Sequence, residues 1–352
     1  MSTLQMSLAM AGGVVLAAIV AHSAWTSRRN TPKQAEPVAE DEAAAAGAAE
    51  RREPGFDGEA LPVVGATDPA FGHATTGERR PGLDPLIDVI APLALDHLVS
   101  GDAALAALPK TRRAGSKPFA IEGLNDATSQ WEMPVAGQRY RAFQAGVQLA
   151  NRTGPLNDIE YSEFVMKTQA FADALNASTD FPDMRHEVAR ARELDQFASD
   201  HDAQLAFVLR ARAAAWSPGY VQQNAARLGF AAGAIPGRMA LPAATPGLPP
   251  VLTLSFDTQA ALADDPAQSA IRDVVLSLDV AQVQREERAF ARLREISAAL
   301  AQTMDGVVAD QNGRPLREEA MDTIGADLEK LYDTLDARDL SAGSLQARRL
   351  FG

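Results

Sequence analysis

Histidine is the side chain best suited to bind a metal or move a proton near neutral pH. The chain has five: His22, His73, His97, His186 and His201. None falls in an HExxH pair, and no two have a clear ligand spacing. The most polar setting is Asp200-His201-Asp202, which reads as a solvated lead-in to the strand that follows rather than a metal site. There is no cysteine, so thiolate nucleophiles and disulfides are both excluded. No GxSxG elbow, P-loop or GxGxxG turn occurs. Carboxylates abound without any pair standing out. Asn151-Arg152-Thr153 and Asn176-Ala177-Ser178 match glycosylation sequons, which carry no meaning unless the chain is secreted. The chemistry therefore reads as that of a non-enzyme with no cofactor and no metal.

What remains is binding, and the elements that would position it. The 352 residues are 46% hydrophobic and carry a net charge of −13, which argues against a nucleic-acid partner. Met6 to Trp25 is a 20-residue run with no charge beyond a possible one on His22. A bilayer core of about 30 Å needs about 20 such residues. Arg28, Arg29 and Lys33 follow the run and nothing basic precedes it. This predicts an uncleaved single span with a periplasmic N-terminus and a cytoplasmic remainder. A leader cut near Ala24, with the rest periplasmic, is the rival.

Residues 30–82 read as a disordered acidic linker. Between residues 33 and 59 stand Glu36, Glu40, Asp41, Glu42, Glu50, Glu53, Asp57 and Glu59, with hardly a large apolar residue. As a coil the linker would span roughly 40 Å. Periodic structure starts at Leu83. Strands are expected over Leu86–Leu98, Lys117–Glu122 and Gln138–Leu149, with a short helix over Ala103–Leu108. Helices follow over Ile159–Leu175, with Ile159, Phe164, Met166, Phe171 and Leu175 on one apolar face, and from Pro182 to Ala198. A second cycle repeats the order: strand Gln204–Arg212, helix Pro218–Leu228, a glycine-rich strand region Gly229–Leu241, strands Pro250–Thr258 and Ile271–Val280, and helix Glu286–Met304. Two short strands around Asn312-Gly313 and a helix to Ala337 complete it. The expected fold is α+β, with sheets that carry helices on one face. The expected divisions are an anchor at 1–29, the linker at 30–82, an α+β domain at 83–200 that resembles a divergent repeat, a second domain at 201–340 and a frayed tail at 341–352.

Period-2 geometry sorts the second cycle into two faces. Leu205, Phe207, Leu209, Leu252, Leu254, Phe256, Val274, Leu276 and Leu278 would lie under the helices. Ala206, Val208, Arg210, Arg212, Val251, Thr253, Ser255, Asp257, Asp273, Val275, Ser277 and Asp279 would face away. This second set is small and mixed. It could be plain solvated surface or a shallow groove for a partner peptide, to which Val208, Val251, Val275 and Ile235 would give apolar contact.

Two stretches carry a family resemblance. The run VVLAAIVAHSAWTSRRN, with His22, Trp25, Thr26, Ser27 and Arg28, resembles the membrane anchor of the bacterial cell-division ZipA family. Phe290 to Leu293, Ala298 to Ala301 and Met304 to Leu316 resemble that family's long helix and its Gly-Val-Val-x-Asp hairpin. The resemblance implies a split β-α-β domain on an inner-membrane anchor. It implies that the domain binds the C-terminal tail of the ring protein FtsZ and so ties the ring to the membrane. The tail would lie as a mostly helical peptide on the uncovered sheet face. Carried over strand by strand, the family's groove positions fall near Val208, Ile235, Gly237, Ser255, Asp257, Asp273 and Val275; with Ala206, Arg210, Thr253 and Ser277 of the same period-2 face they make the expected peptide-binding set. Gly237 and Asp257 replace large apolar groove residues of the family, and Gln259 replaces a basic one, which predicts a shallower and more acidic groove. The alternative is a single-pass membrane adaptor of the same fold with another cytoplasmic partner.

Overall fold

A computed structural model describes residues 32–35 and 82–352. Met6–Trp25, His22, His73 and most of the expected linker lie outside the described residues. Among those described, no helix is long and apolar enough to cross a membrane.

The first half runs β1 (Asp88–Ser100), α1 (Gly101–Ala107), β2 (Arg113–Ala114), β3 (Lys117–Asn125), β4 (Trp131–Glu132), β5 (Arg139–Gln148), β6 (Ala150–Asn151) and β7 (Gly154–Pro155). It continues with α2 (Asp158–Leu175), β8 (Ser178–Thr179) and α3 (Met184–His201). The second half runs β9 (Gln204–Ala211), α4 (Pro218–Arg227), β10 (Ala231–Ala232), β11 (Arg238–Leu241), β12 (Leu252–Ser255) and α5 (Thr258–Ala261). Then come β13 (Asp273–Asp279), α6 (Ala289–Met304), β14 (Gly306–Ala309), α7 (Glu318–Asp336) and α8 (Leu345–Leu350).

The two main sheets share one plan. Their strand orders are β2-β3-β5-β1-β8 and β10-β11-β12-β13-β9-β14. In each, the first strand of the half pairs with the last long strand before the long helix. That helix leads into a short edge strand beside the first strand, and a second long helix follows. The strand-helix recurrence legible in the sequence is thus a recurrence of topology. All strand pairs are antiparallel, as short connections allow.

Caps fix the helix starts. Asn157 and Glu160 form a capping box at α2, and Ser100 and Ser217 accept from backbone N–H groups at α1 and α4. The phase set by the α2 cap buries Tyr161, Phe164, Thr168, Phe171 and Leu175. Phe171 meets Phe143 edge-on at 5.2 Å. Ile159 and Met166 do not belong to this face. At 100° per residue they fall on the far side of the helix from Phe164, and both are exposed.

In the second half α6 lies across β9, β13 and β14. Its stripe is as expected: Leu293, Leu300 and Met304 are buried, and Phe290 and Ile296 pack on the core. Two expectations fail nearby. Asn312-Gly313 is not the centre of a two-residue hairpin. The reversal takes a longer turn: the Asp310 carbonyl accepts from Gly313 N–H, Asp310 N–H donates to the Arg314 carbonyl and Leu316 N–H to the Val308 carbonyl, while the Asp310 side chain accepts from the N–H groups of Asn312 and Arg314. Nor is the tail frayed. Leu340, Ala347, Leu350 and Phe351 are buried, and Arg349 reaches back to Asp88 at 2.5 Å. This short stretch docks 261 residues upstream, through Arg349 on Asp88, which no local pattern reveals.

Residues 32–35, expected inside the linker, lie against the second half: Lys33 pairs with Trp216, and Pro32 is buried.

Candidate peptide-binding face

The register of the second sheet builds the uncovered face row by row. Val275 pairs with Val208 on one side and Ser255 on the other, and Ser255 pairs with Arg238. The next row is Ala206, Ser277, Thr253 and Ala240. The row on the other side is Val307, Arg210 and Asp273. Four strands at about 4.8 Å spacing give a trough on the order of 15–20 Å across. Phe207, Leu209, Leu252, Leu254, Val274, Leu276 and Leu278 are buried on the opposite side, under the helices, and Leu205 is half-buried there. Ala206, Val208, Thr253, Ser255, Val275 and Ser277 are half-buried, with no helix over them among the described residues.

Eight of the expected residues therefore share one surface: Ala206, Val208, Arg210, Thr253, Ser255, Asp273, Val275 and Ser277. Three do not. Ile235 stands in the turn between β10 and β11, where its carbonyl accepts from Arg238 N–H. Gly237 is in the same turn at a φ of +78°, and a β carbon there would come within 2.8 Å of the Phe256 carbonyl oxygen. Its role is close approach of two backbones, not contact with a ligand. Asp257 has left the sheet and caps α5 by accepting from Gln259 N–H at 2.9 Å. Val251 is also misplaced, because it is buried just before β12 begins.

The face also holds Arg238, Ala240 and Val307, which period-2 reading missed. The alternation of Met239 and Leu241 as buried residues is the signal that places Arg238 and Ala240 outward. Val307 follows once Gly306–Ala309 is recognised as pairing with β9.

These corrections change the electrostatics. The expected acidic groove loses Asp257 to a helix cap. Asp273 is neutralised locally by Arg210, whose Nε donates to it at 2.8 Å. The centre of the face is small and uncharged: Ala206, Val208, Ser255, Val275 and Ser277. Toward β10 it opens into a shallow depression of about 340 Å³ lined by Ala231, Ala240, Pro242, Leu248 and Pro250. Such a surface offers apolar contact and exposed hydroxyls at its centre, with charge at its margins: Arg210 and Asp273 at one end, Asp279 with Arg152 at the other, and Arg238 on the β11 side. It can hold the apolar side of a short peptide.

The corresponding face of the first sheet is partly closed by the chain itself. Leu83 sits on Gly146, where a β carbon would come within 2.4 Å of its side chain. Arg349 of α8 binds Asp88, and its carbonyl accepts from Gln148 Nε2 at 2.7 Å. Asp200-His201-Asp202 is used structurally: His201 stacks on Phe197 at 4.3 Å, and Asp202 takes a bidentate pair from Arg152. Among the described residues, no acidic and histidine side chains gather in a metal-holding group.

Residues 262–327 match the family model of the ZipA C-terminal FtsZ-binding domain. The match spans β13, α6, β14 and the first part of α7, so Asp273, Val275 and Ser277 fall inside it while β9, β11 and β12 fall outside. It supports the ZipA family and an FtsZ-binding role in cell division, and that family is non-enzymatic. No curated protein matches the chain.

Proposed function

We propose, for a chain whose residues 262–327 carry a ZipA-type domain, that it is a bitopic inner-membrane protein that tethers FtsZ by the FtsZ C-terminal tail. Met6–Trp25 would cross the membrane, with the N-terminus periplasmic and the sheets cytoplasmic. The tail would lie on the uncovered face of the second sheet. The observation that carries this reading is the row Val208–Val275–Ser255, half-buried with no helix over it among the described residues, at the centre of a sheet whose other side is buried under helices. A helical tail could lay its apolar stripe along that row, with hydroxyls of Ser255 and Ser277 at its flanks.

The test is a titration of an FtsZ C-terminal tail peptide onto the full chain in mild detergent. Saturable binding in the micromolar range supports the reading. Absence of binding up to a few hundred micromolar overturns it. A reporter fused after the C-terminus that reads periplasmic would overturn the orientation. The adaptor reading, with another cytoplasmic partner, is favoured by one observation: Ile235, Gly237 and Asp257 leave the face that a family groove would use.

A further inference from the structure

The short segment 32–35 is held by several independent contacts. Lys33 lies parallel to Trp216: its N–H donates to the Ala215 carbonyl at 2.7 Å, and its own carbonyl accepts from Ser217 N–H at 2.9 Å. Trp216 in turn exchanges two 2.8 Å backbone bonds with Ile271 on its other side. Lys33, Trp216 and Ile271 thus make a small three-chain ladder. The Lys33 ammonium donates to the carbonyl of Met304 at 3.1 Å. That carbonyl ends α6, where the helix dipole favours a cation, and it also accepts from Trp216 Nε1 at 2.8 Å. Gln34 Nε2 donates to the Ala267 carbonyl at 2.6 Å.

We propose that residues 32–35 are a docking clamp, which fastens the chain just after the apolar run onto the half that carries the open face. Its membrane consequence rests on the tether reading above. Lys33 stands eight residues after Trp25. Eight residues reach at most about 28 Å. Ile271 is two residues from Asp273, so the clamp sits at the Arg210–Asp273 end of the trough. That end is held close to the bilayer, and residues 36–81 join two fixed points instead of setting the distance between membrane and domain. Captured FtsZ would be held near the membrane surface, not at the end of a long tether.

The chain has no cysteine of its own, which makes a cross-link test clean. The β carbon of Ala35 lies 3.7 Å from where a β carbon on Gly219 would stand, which suits a disulfide. In the full chain in membranes, Ala35→Cys with Gly219→Cys should form an intramolecular disulfide under mild oxidation. It should form at least about tenfold faster than the control pair Ala35→Cys with Leu105→Cys. Adding Lys33→Pro, which removes the donor to Ala215 and the ammonium together, should slow it at least about tenfold. Equal rates for the two pairs would overturn the clamp, as would a rate indifferent to Lys33→Pro. Carbonate extraction of the same membranes reads the anchor separately: release of the whole chain would sink the tether reading and leave the clamp standing or falling on the cross-link alone.

Discussion

Val275 on β13 stands directly opposite Val208 on β9, and both side chains project from the side of the sheet that no described helix covers. One residue further along, Leu276 stands opposite Phe207 and both are buried beneath α6. A change at either position touches the same strand, yet it reaches a different surface. Val275→Glu should weaken FtsZ-tail binding by at least about tenfold, since it places a charge at the centre of an apolar contact, and should leave the urea midpoint nearly unchanged. Leu276→Ala should cost about 2–5 kcal/mol in stability. A pair of variants that both simply unfold would show that the faces are wrongly assigned.

The contact between the C-terminal helix and the first sheet should respond to pH. Arg349 is the partner of Asp88, whose side chain has no exposed surface. Burial pushes the Asp88 carboxyl above its ordinary value, against the pull of Arg349. A carboxyl with a higher pKa folded than unfolded favours the folded state below its unfolded value, and that advantage is lost as pH rises through the folded one. Arg349→Met removes the opposing pull. It should destabilise by about 3–5 kcal/mol near neutrality, where Asp88 is left charged and buried. Part of the loss should return as pH falls toward the carboxylate range. Urea unfolding at about pH 7 and about pH 5 measures this, and an equal loss at both would count against the pair.

Asn157→Ala should cost about 0.5–2 kcal/mol, because its side chain accepts from the N–H groups of Ile159 and Glu160 and that half of the capping box is lost, while the backbone N–H that donates to Glu160 remains. Thermal melts of this variant beside Asn157→Ser would separate the cap from any general effect, since serine should retain most of the stability.

Arg288 holds a left-handed backbone at φ +48° between a 3-10 turn and α6, with no side-chain cap bond. A side chain with a β carbon is strained there. Arg288→Gly should therefore raise stability by about 0.5–1 kcal/mol, the strain relief being partly offset by the freer unfolded chain. A lower melting temperature would contradict it.

Most of the architecture was legible in the sequence because it rests on local pattern. The alternation in Asp273–Asp279 placed Val274, Leu276 and Leu278 inward, and the Asn157 and Ser217 caps marked helix starts. Eight of the eleven expected groove residues follow from that alternation. The failures occur where a strand stops. Asp257 and Val251 keep the parity of β12 but lie beyond its ends, and parity means nothing off the sheet. The helix at Leu345–Leu350 and the docking of Lys33 depend on partners hundreds of residues away, Asp88 and Met304, and composition carries no trace of them.

The first sheet repeats the plan of the second, but Leu83 and the Arg349 helix occupy part of the side that no described helix covers in the second. On the tether reading, the two sheets would therefore be constrained differently. Around Gly146, Asp88 and Gln148, acceptable substitutions are limited by a partner encoded in the same gene, so compensating changes can arise within one chain. Around Val208 and Val275, the limits would be set by another protein's sequence. A saturation survey scored once for folding and once for growth dependent on FtsZ recruitment should show both patches in the first score and only the second patch gaining sensitivity in the other.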